Sequence, residues 1–431
     1  MFSYYKIRRG IKEGYLLEII NRRLNRLWLK LFHNNIYNCN RLISEGNYEQ
    51  AFEIGEKELI KYKDDIFLTK KNAFLAHRSG NHEYAEVLMK KALILFLNSD
   101  LNKLIQLSRL GLPANCRYES KFKYLGGNIN FGFIVHNKES ANDPSNNYLT
   151  KIMDSSGKRK SINKEIYFYL NIYKKYPILS TISPNILNST EIADSKYSLL
   201  TVEMLEGKRP SNNDISEILK INSSIETISY NEALPLIEAF GSSLDTQRLA
   251  ASELHSEIMN RHIFSEMKYL LNKTKKDHNE LMEIIKNLER IIISKKLYRN
   301  IIPEIHYSFC HNDFHKNNII SDHESDKKWV IIDWNTYGVA LRGWDMNNYF
   351  GNYKFSFDEI LNLYINKCDF CEGNNLIIAK IFFVYMQIYK WVRRLKGEES
   401  EDKLIKYFRP ASMYIEEMYN EFLKKSRNLH E

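Results

Sequence analysis

The sequence predicts an α+β protein: a small β-rich lobe and a large helical lobe, preceded by an all-α segment. Three observations predict it. A helical pattern repeats near the N-terminus, short strands cluster around glycines in the middle, and a long helical stretch ends in a polar hairpin. With 431 residues the chain is long enough for two or three separate cores. Pattern changes divide it into residues 1–110, 111–207 and 208–431.

Residues 15–32, YLLEIINRRLNRLWLKLF, place Leu16, Leu17, Ile20, Leu24, Leu27, Trp28 and Leu31 on one helical face. Arg22, Arg23, Arg26 and Lys30 lie opposite. Such a helix is expected first to pack on the next helices of the chain, with peripheral contact to an anionic membrane as the alternative. Those helices carry a repeat. EGNYEQA (Glu45 to Ala51) recurs as SGNHEYA (Ser79 to Ala85), so Gly46 and Gly80 stand 34 residues apart. That is the tetratricopeptide period. The glycines would open turns between paired helices, while Ala51, Ala85 and Ala92 would let helices approach. The early Trp and terminal Pro of such repeats are missing, and two copies are few. Residues 1–110 are expected to be a helical extension that binds a protein partner or packs on its own catalytic domain.

Residues 122–135, FKYLGGNINFGFIV, read as strand, glycine turn, strand. Gly126, Gly127 and Gly132 let backbone N–H groups approach an anion. The strand YLTKIM comes next and carries Lys151, and Glu165 lies 14 residues later on a helical segment, Asn163 to Tyr173. The apolar strand SLLTVEMLEG ends in acid and glycine at Glu203 to Gly207, which suits a hinge. Residues 212–300 are mostly helical in pattern, with Pro235 and Gly241 as expected breaks.

The densest chemistry lies between Phe309 and Phe350. In FCHNDFHKNNII, Asp313 and Asn318 are five residues apart, and Asp333 comes directly after the apolar run Trp329 to Ile332. Ile319–Ile320 and Trp329–Ile332 read as the strands of a hairpin with Asn318 and Asp333 at one mouth. An Asp that orients an attacking hydroxyl, with an Asn and a second Asp offering hard oxygens to Mg²⁺, is the layout of a phosphoryl-transfer site. The upstream features then acquire roles. Lys151, oriented by an ion pair to Glu165, and the Gly126–Gly127 turn would hold the phosphates of ATP. The backbone from Glu203 to Leu205 would meet adenine. His311 is expected to support the loop, and His315 stands nearer the acceptor.

The order glycine turn, strand lysine, helix glutamate, hinge, Asp-x₄-Asn, apolar strand, Asp is that of kinases. The loop reads H-N-D, not the H-R-D of protein kinases. With I-D-W-x-x-Y and R-G-x-D-x-x-N-x-F, the chain resembles choline/ethanolamine kinases within the aminoglycoside phosphotransferase superfamily. The matching positions include Cys310, His311, Asn312, Asp313, Asn318, Asp333, Arg342, Gly343, Asp345, Asn348 and Phe350. The resemblance covers roughly residues 115–425 and implies a bilobal protein-kinase-like fold using Mg-ATP. It also implies Asp313 as catalytic base, with Asn318 and Asp333 as metal ligands. The acceptor would be the alcohol of choline, ethanolamine or a related amino alcohol.

Two departures bear on that acceptor. Asn335 and Asn352 stand where the family carries glutamates near a cationic substrate. Aromatics able to face a cation remain, among them Tyr349, Tyr385, Tyr389 and Trp391. A sugar or aminoglycoside acceptor is the alternative within the class. A non-catalytic scaffold binding partners through residues 1–110 is the alternative outside it.

The net charge is +9, and residues 1–41 hold nine Lys/Arg against two Glu. The remainder is therefore near neutral, which argues against a nucleic-acid face. Five scattered cysteines point to a reducing, cytoplasmic setting, and the lone Cys368-x-x-Cys371 pair has no second half. The basic N-terminus lacks the apolar core and cleavage site of a secretory signal.

Overall fold

The computed structural model describes residues 34–62, 64–97, 101–114, 116–125, 130–139, 147–154, 161–191, 197–238, 250–274, 278–321, 329–351, 355–395 and 400–428. The basic helix expected at 15–32 lies outside them, as do Gly126, Gly127, Gly241 and Asn352. Two compact units form: Met1–Ile166 with Asn185–Met204, and Tyr167–Pro184 with Leu205–Glu431.

The first unit begins with helices Asn34–Ser44, Tyr48–Lys61, Ile66–Arg78, His82–Leu97 and Leu101–Arg109. The 34-residue period is visible atom by atom. Gly46 and Gly80 take φ of +79° and +88°. The next N–H closes the turn in both copies, Asn47 onto Leu42 O and Asn81 onto Ala76 O, each at 2.9 Å. The asparagine side chain then accepts from Gln50 N–H or Tyr84 N–H at 3.3 Å. A glycine C-cap with an asparagine N-cap directly after it is an economical helix-to-helix turn. Ala51, Ala85 and Ala92 are fully buried.

Next in the chain is a five-stranded antiparallel sheet, in the order β1 (Tyr118–Lys123), β2 (Asn130–Lys138), β3 (Tyr148–Asp154), β5 (Tyr197–Glu203), β4 (Ile186–Glu191). Phe122 pairs with Ile134 and Ile152 with Leu199. These four share one core with Ala73, Leu88, Leu93 and Leu104 of the helices. The core therefore crosses the division expected at residue 110, because the helices cover one face of the sheet. Strand alternation puts Lys151, next to Ile152, on the opposite face. On the covered face a polar chain links the strands: Ser120 Oγ to His136 Nδ1 at 2.9 Å, His136 Nε2 to Thr150 Oγ1 at 2.9 Å, and Thr150 to Thr201 at 2.8 Å.

The second unit is mainly helical. Its central helix, Gly373–Arg393, is buried from Ile377 to Val392 apart from Lys380. A helix apolar on all sides must be enclosed, and Glu257–Asn272 and Glu401–Asn428 pack on it. Pro235 does not break its segment; it sits inside Tyr230–Glu238. That helix is short and buries Ala233, and its packing on two strands offsets the lost backbone bond. Two small two-stranded antiparallel sheets complete the unit, β6 (Tyr307–Cys310) with β9 (Gly338–Leu341) and the hairpin β7 (Ile319–Ser321) with β8 (Trp329–Ile331).

The strand β7 is also held from upstream. Ser321 N–H donates to Lys208 O at 2.8 Å, and Lys208 N–H donates to Ser321 Oγ at 3.0 Å. Gly207 lies so close that a Cβ there would sit 1.4 Å from Ser321 O. Gly207→Ala must push β7 away and should cost about 3 kcal/mol, read as a lowered urea midpoint at unchanged m. An unchanged midpoint would show that the close approach is dispensable.

Candidate active site

The segment after β6 is fixed before any ligand is considered. Asn312 takes φ +67°, a left-handed conformation that costs energy in a residue other than glycine. Asp345, fully buried, compensates by accepting two backbone N–H groups, His311 on Oδ2 at 2.7 Å and Asn312 on Oδ1 at 2.8 Å. Thr336 Oγ1 donates to His311 O at 2.9 Å, and Asn312 Nδ2 donates to Thr336 O at 3.1 Å. Gly338 leaves room for that amide, since a Cβ there would lie 2.5 Å from Asn312 Nδ2.

His311 fits a single neutral tautomer. Nε2–H donates to Ile332 O at 3.0 Å while Nδ1 accepts Asp313 N–H at 3.3 Å. Burial lowers its pKa to about 4. It is thus a support for the loop. His136 is also lowered to about 4, by burial first and then by Arg109. Both folded pKa values lie below the unfolded value of 6.5. The unfolded chain therefore binds more protons between pH 6.5 and 4, and these groups' stabilisation is lost across that window on acidification. His136→Gln should flatten the fall in melting temperature between pH 6.5 and 4.5. A parallel curve would contradict the assignment.

Asp313 itself is open to solvent, its side chain 40% exposed. Asn318 Nδ2 donates to Asp313 O at 3.0 Å and to Asp313 Oδ2 at 3.3 Å. The amide is thereby oriented with Oδ1 outside these bonds. His315 Nε2 is 3.7 Å from Asp313 Oδ1, and His315 Nδ1 accepts Asn317 N–H at 3.2 Å.

The β7–β8 register, Ile319 opposite Ile331, brings Asn318 and Asp333 to one end of the hairpin. Ile332 N–H donates to Asn318 O at 2.9 Å and continues the pairing. Asp333 then turns out of the strand at φ +66°. Asn335 Nδ2 donates to Asp333 Oδ1 at 2.8 Å. Trp334 is buried between them, stacked on Phe168 at 4.3 Å and edge-on to His311 at 4.6 Å. Phe168 starts a π turn, Phe168–Ile172, that extends the helix Ser161–Tyr167.

An amide oxygen and a carboxylate form a hard donor pair that fits Mg²⁺. Among the described residues no group of three or more His, Cys, Asp or Glu side chains is arranged to hold a metal.

In the other unit, Lys151 Nζ lies 2.7 Å from Glu165 Oε1, with side chains 10% and 3% exposed. The expected pair forms, on the sheet face away from the helices. At the end of β5, Glu203 N–H donates to Asn185 O and Met204 N–H to Asn147 O, both at 2.9 Å. Leu205 is partly exposed and begins the second unit.

The aromatic candidates separate. Tyr349 is half-buried, its ring 6.2 Å from Phe314, the residue after Asp313. Tyr385 is fully buried against Phe264 at 5.2 Å. Tyr389 is buried and donates to Glu266 at 2.6 Å. Trp391 packs on Tyr407 and Phe408 of the last helix. These three serve helix packing in this structure. Sequence reasoning left out two anchors. Asp345 stands in the R-G-x-D motif, so its signal was present. Glu226, buried and accepting Gly343 N–H at 2.6 Å, is an ordinary helical glutamate with no local signal.

Similarity to known proteins bears on the second unit. The family model described as choline/ethanolamine kinase matches residues 213–420. This stretch, just under half of the chain, is thus similar to choline/ethanolamine kinases. The matched stretch includes Asp313, Asn318, Asp333 and Asp345. Among curated proteins no sequence match is found. Solved structures that align with the chain include the choline kinase LicA from Streptococcus pneumoniae, at 15% identity and TM-score 0.38 over 74% of this chain and 100% of that one. An ethanolamine kinase from Plasmodium vivax aligns at 16% identity and TM-score 0.41, over 79% of this chain and 95% of that one. An ADP-bound aminoglycoside phosphotransferase, APH(2'')-Ib, aligns at 15% and TM-score 0.39, over 74% and 99%.

Proposed function

We propose that the protein is an ATP-dependent small-molecule kinase whose acceptor is the alcohol of choline, ethanolamine or a related amino alcohol. The observation that carries this reading is the coupling of Asp313 to Asn318 on a loop locked by Asp345. One amide spans from the base to the metal pair, so the two positions cannot drift independently. The exposed Asp313 carboxylate accepts the acceptor's O–H and aligns its oxygen on the γ-phosphorus of ATP. As the P–O bond to the acceptor forms and the bond to ADP breaks, the proton passes to Asp313. Asn318 and Asp333 would hold Mg²⁺, which neutralises phosphate charge. Lys151, kept extended by Glu165, supplies a fixed cation for the phosphates, and the Glu203–Leu205 backbone is the candidate adenine contact. Asn335 favours a second reading for the acceptor. It is neutral and committed to Asp333, so the uncharged hydroxyl of a sugar needs no carboxylate at that position.

We read residues 34–109 as a support for the sheet, consistent with their shared core. No described helix is long and apolar enough to cross a membrane. The test is turnover of Mg-ATP with a panel of amino alcohols and amino sugars, monitored as ADP release. At least one member should be phosphorylated. Binding of Mg-ATP without turnover across the panel would favour a scaffold, and no binding would end the kinase reading.

A further inference from the structure

The helices Glu257–Asn272 and Asn279–Glu289, with the π turn Arg290–Ser294 that continues the second and Lys296 just after it, line an open surface cleft of about 360 Å³. Its size lies in the range of small-ligand sites. It shares no residue with the Asp313 loop. Four cations line it: Arg261, Lys286, Arg290 and Lys296. Two carboxylates, Glu257 and Glu289, line it as well, and both are already engaged. Glu257 accepts Arg261 Nε at 2.9 Å and Nη2 at 2.8 Å, and Tyr298 O–H at 2.6 Å. Glu289 pairs with Lys268. Lys286 pairs with Glu283 at 3.3 Å, both well exposed. Among the described residues Arg290 and Lys296 form no ion pair.

Three local departures converge on this cavity. Lys286 and Arg290 are like charges four residues apart on a helix, an arrangement that repels. The π turn at Arg290–Ser294 is an uncommon geometry that recurs at functional sites. The other π turn among the described residues delivers Phe168 to Trp334, beside His311. Lys296 takes φ +57°, a position that glycine fills without strain. Unfavourable local choices that meet at one place are expected where function demands them.

We propose that this cavity is a second anion site, taking a phosphate-bearing small molecule of about the size of pyrophosphate. A bound polyanion would relieve the Lys286–Arg290 repulsion and give Arg290 and Lys296 charge-assisted partners.

Titration calorimetry of the full chain with inorganic pyrophosphate, in EDTA, tests it. The wild type should bind with Kd of about 1 mM or tighter. Arg290→Gln and Lys296→Gly should each weaken binding about tenfold. Lys296→Gly should also keep or raise the melting temperature, since glycine adopts this φ freely, so weaker binding there is not unfolding. Lys151→Ala should leave the affinity unchanged. Three results would overturn the site: no binding by the wild type, equal affinity in both cavity variants, or loss on Lys151→Ala but not on Arg290→Gln. Vesicles of phosphatidylcholine with phosphatidic acid form a second arm. Binding to them without binding to pyrophosphate would overturn the small-molecule assignment.

Discussion

Asp313→Asn is expected to lower kcat by about 10²–10⁴-fold, the usual contribution of a positioned base. The amide is isosteric and can still accept the hydroxyl's hydrogen bond, but it cannot take the proton. Because the Asp313 side chain is 40% exposed and the loop is held by backbone bonds to Asp345, the melting temperature should hardly move. Nucleotide affinity should also persist, since Lys151, Asn318 and Asp333 are untouched. Full activity in this variant would remove Asp313 from the chemistry. Lost ATP binding would instead reassign it to the nucleotide site.

Asp345→Ala should damage both stability and turnover. It leaves two buried backbone donors without partners, at roughly 1–3 kcal/mol each. It also releases Asn312 from its left-handed conformation, and a misplacement of about 1 Å at Asp313 can cost on the order of 10² in rate. Asp345→Asn should fall between, because an amide offers one acceptor oxygen to two N–H groups and sets its own N–H₂ against the other. Burial raises Asp345 from 3.8 to about 7, against the pull of its two N–H bonds. The sign here is opposite to that of the histidines. Between pH 3.8 and about 7 the folded state binds more protons at this site, so its contribution declines as pH rises. Removing it leaves the acid-sensitive histidines uncompensated. Denaturant midpoints measured at pH 7 and pH 5 should therefore diverge more in Asp345→Asn than in the wild type. Equal pH dependence would show that Asp345 is ionised throughout.

Much of this site was legible along the chain because its chemistry is local. Asp313 and Asn318 are close in sequence, and the apolar run before Asp333 marks its strand. The Lys151–Glu165 spacing foretold a pair that forms at 2.7 Å. The repeat glycines foretold two turns, with φ of +79° and +88°. The aromatic candidates were less legible. Tyr385, Tyr389 and Trp391 satisfy helical spacing whether they face a ligand or a neighbouring helix, and all three are enclosed by packing. Pro235 was read as a break because its missing N–H is a local fact, whereas the burial that offsets it is not.

The sequence by itself determined the residue types that can take a proton, hold a hard cation or reverse the chain, since those are properties of single side chains and short spacings. Only the tertiary structure decided that the helical repeats share a core with the sheet, that Asp345 fixes the Asp313 loop, and that Arg261 lines one cavity with Arg290 and Lys296. Those outcomes depend on which buried surfaces and backbone groups find partners far away in the chain, and that is settled by packing rather than by neighbours in sequence.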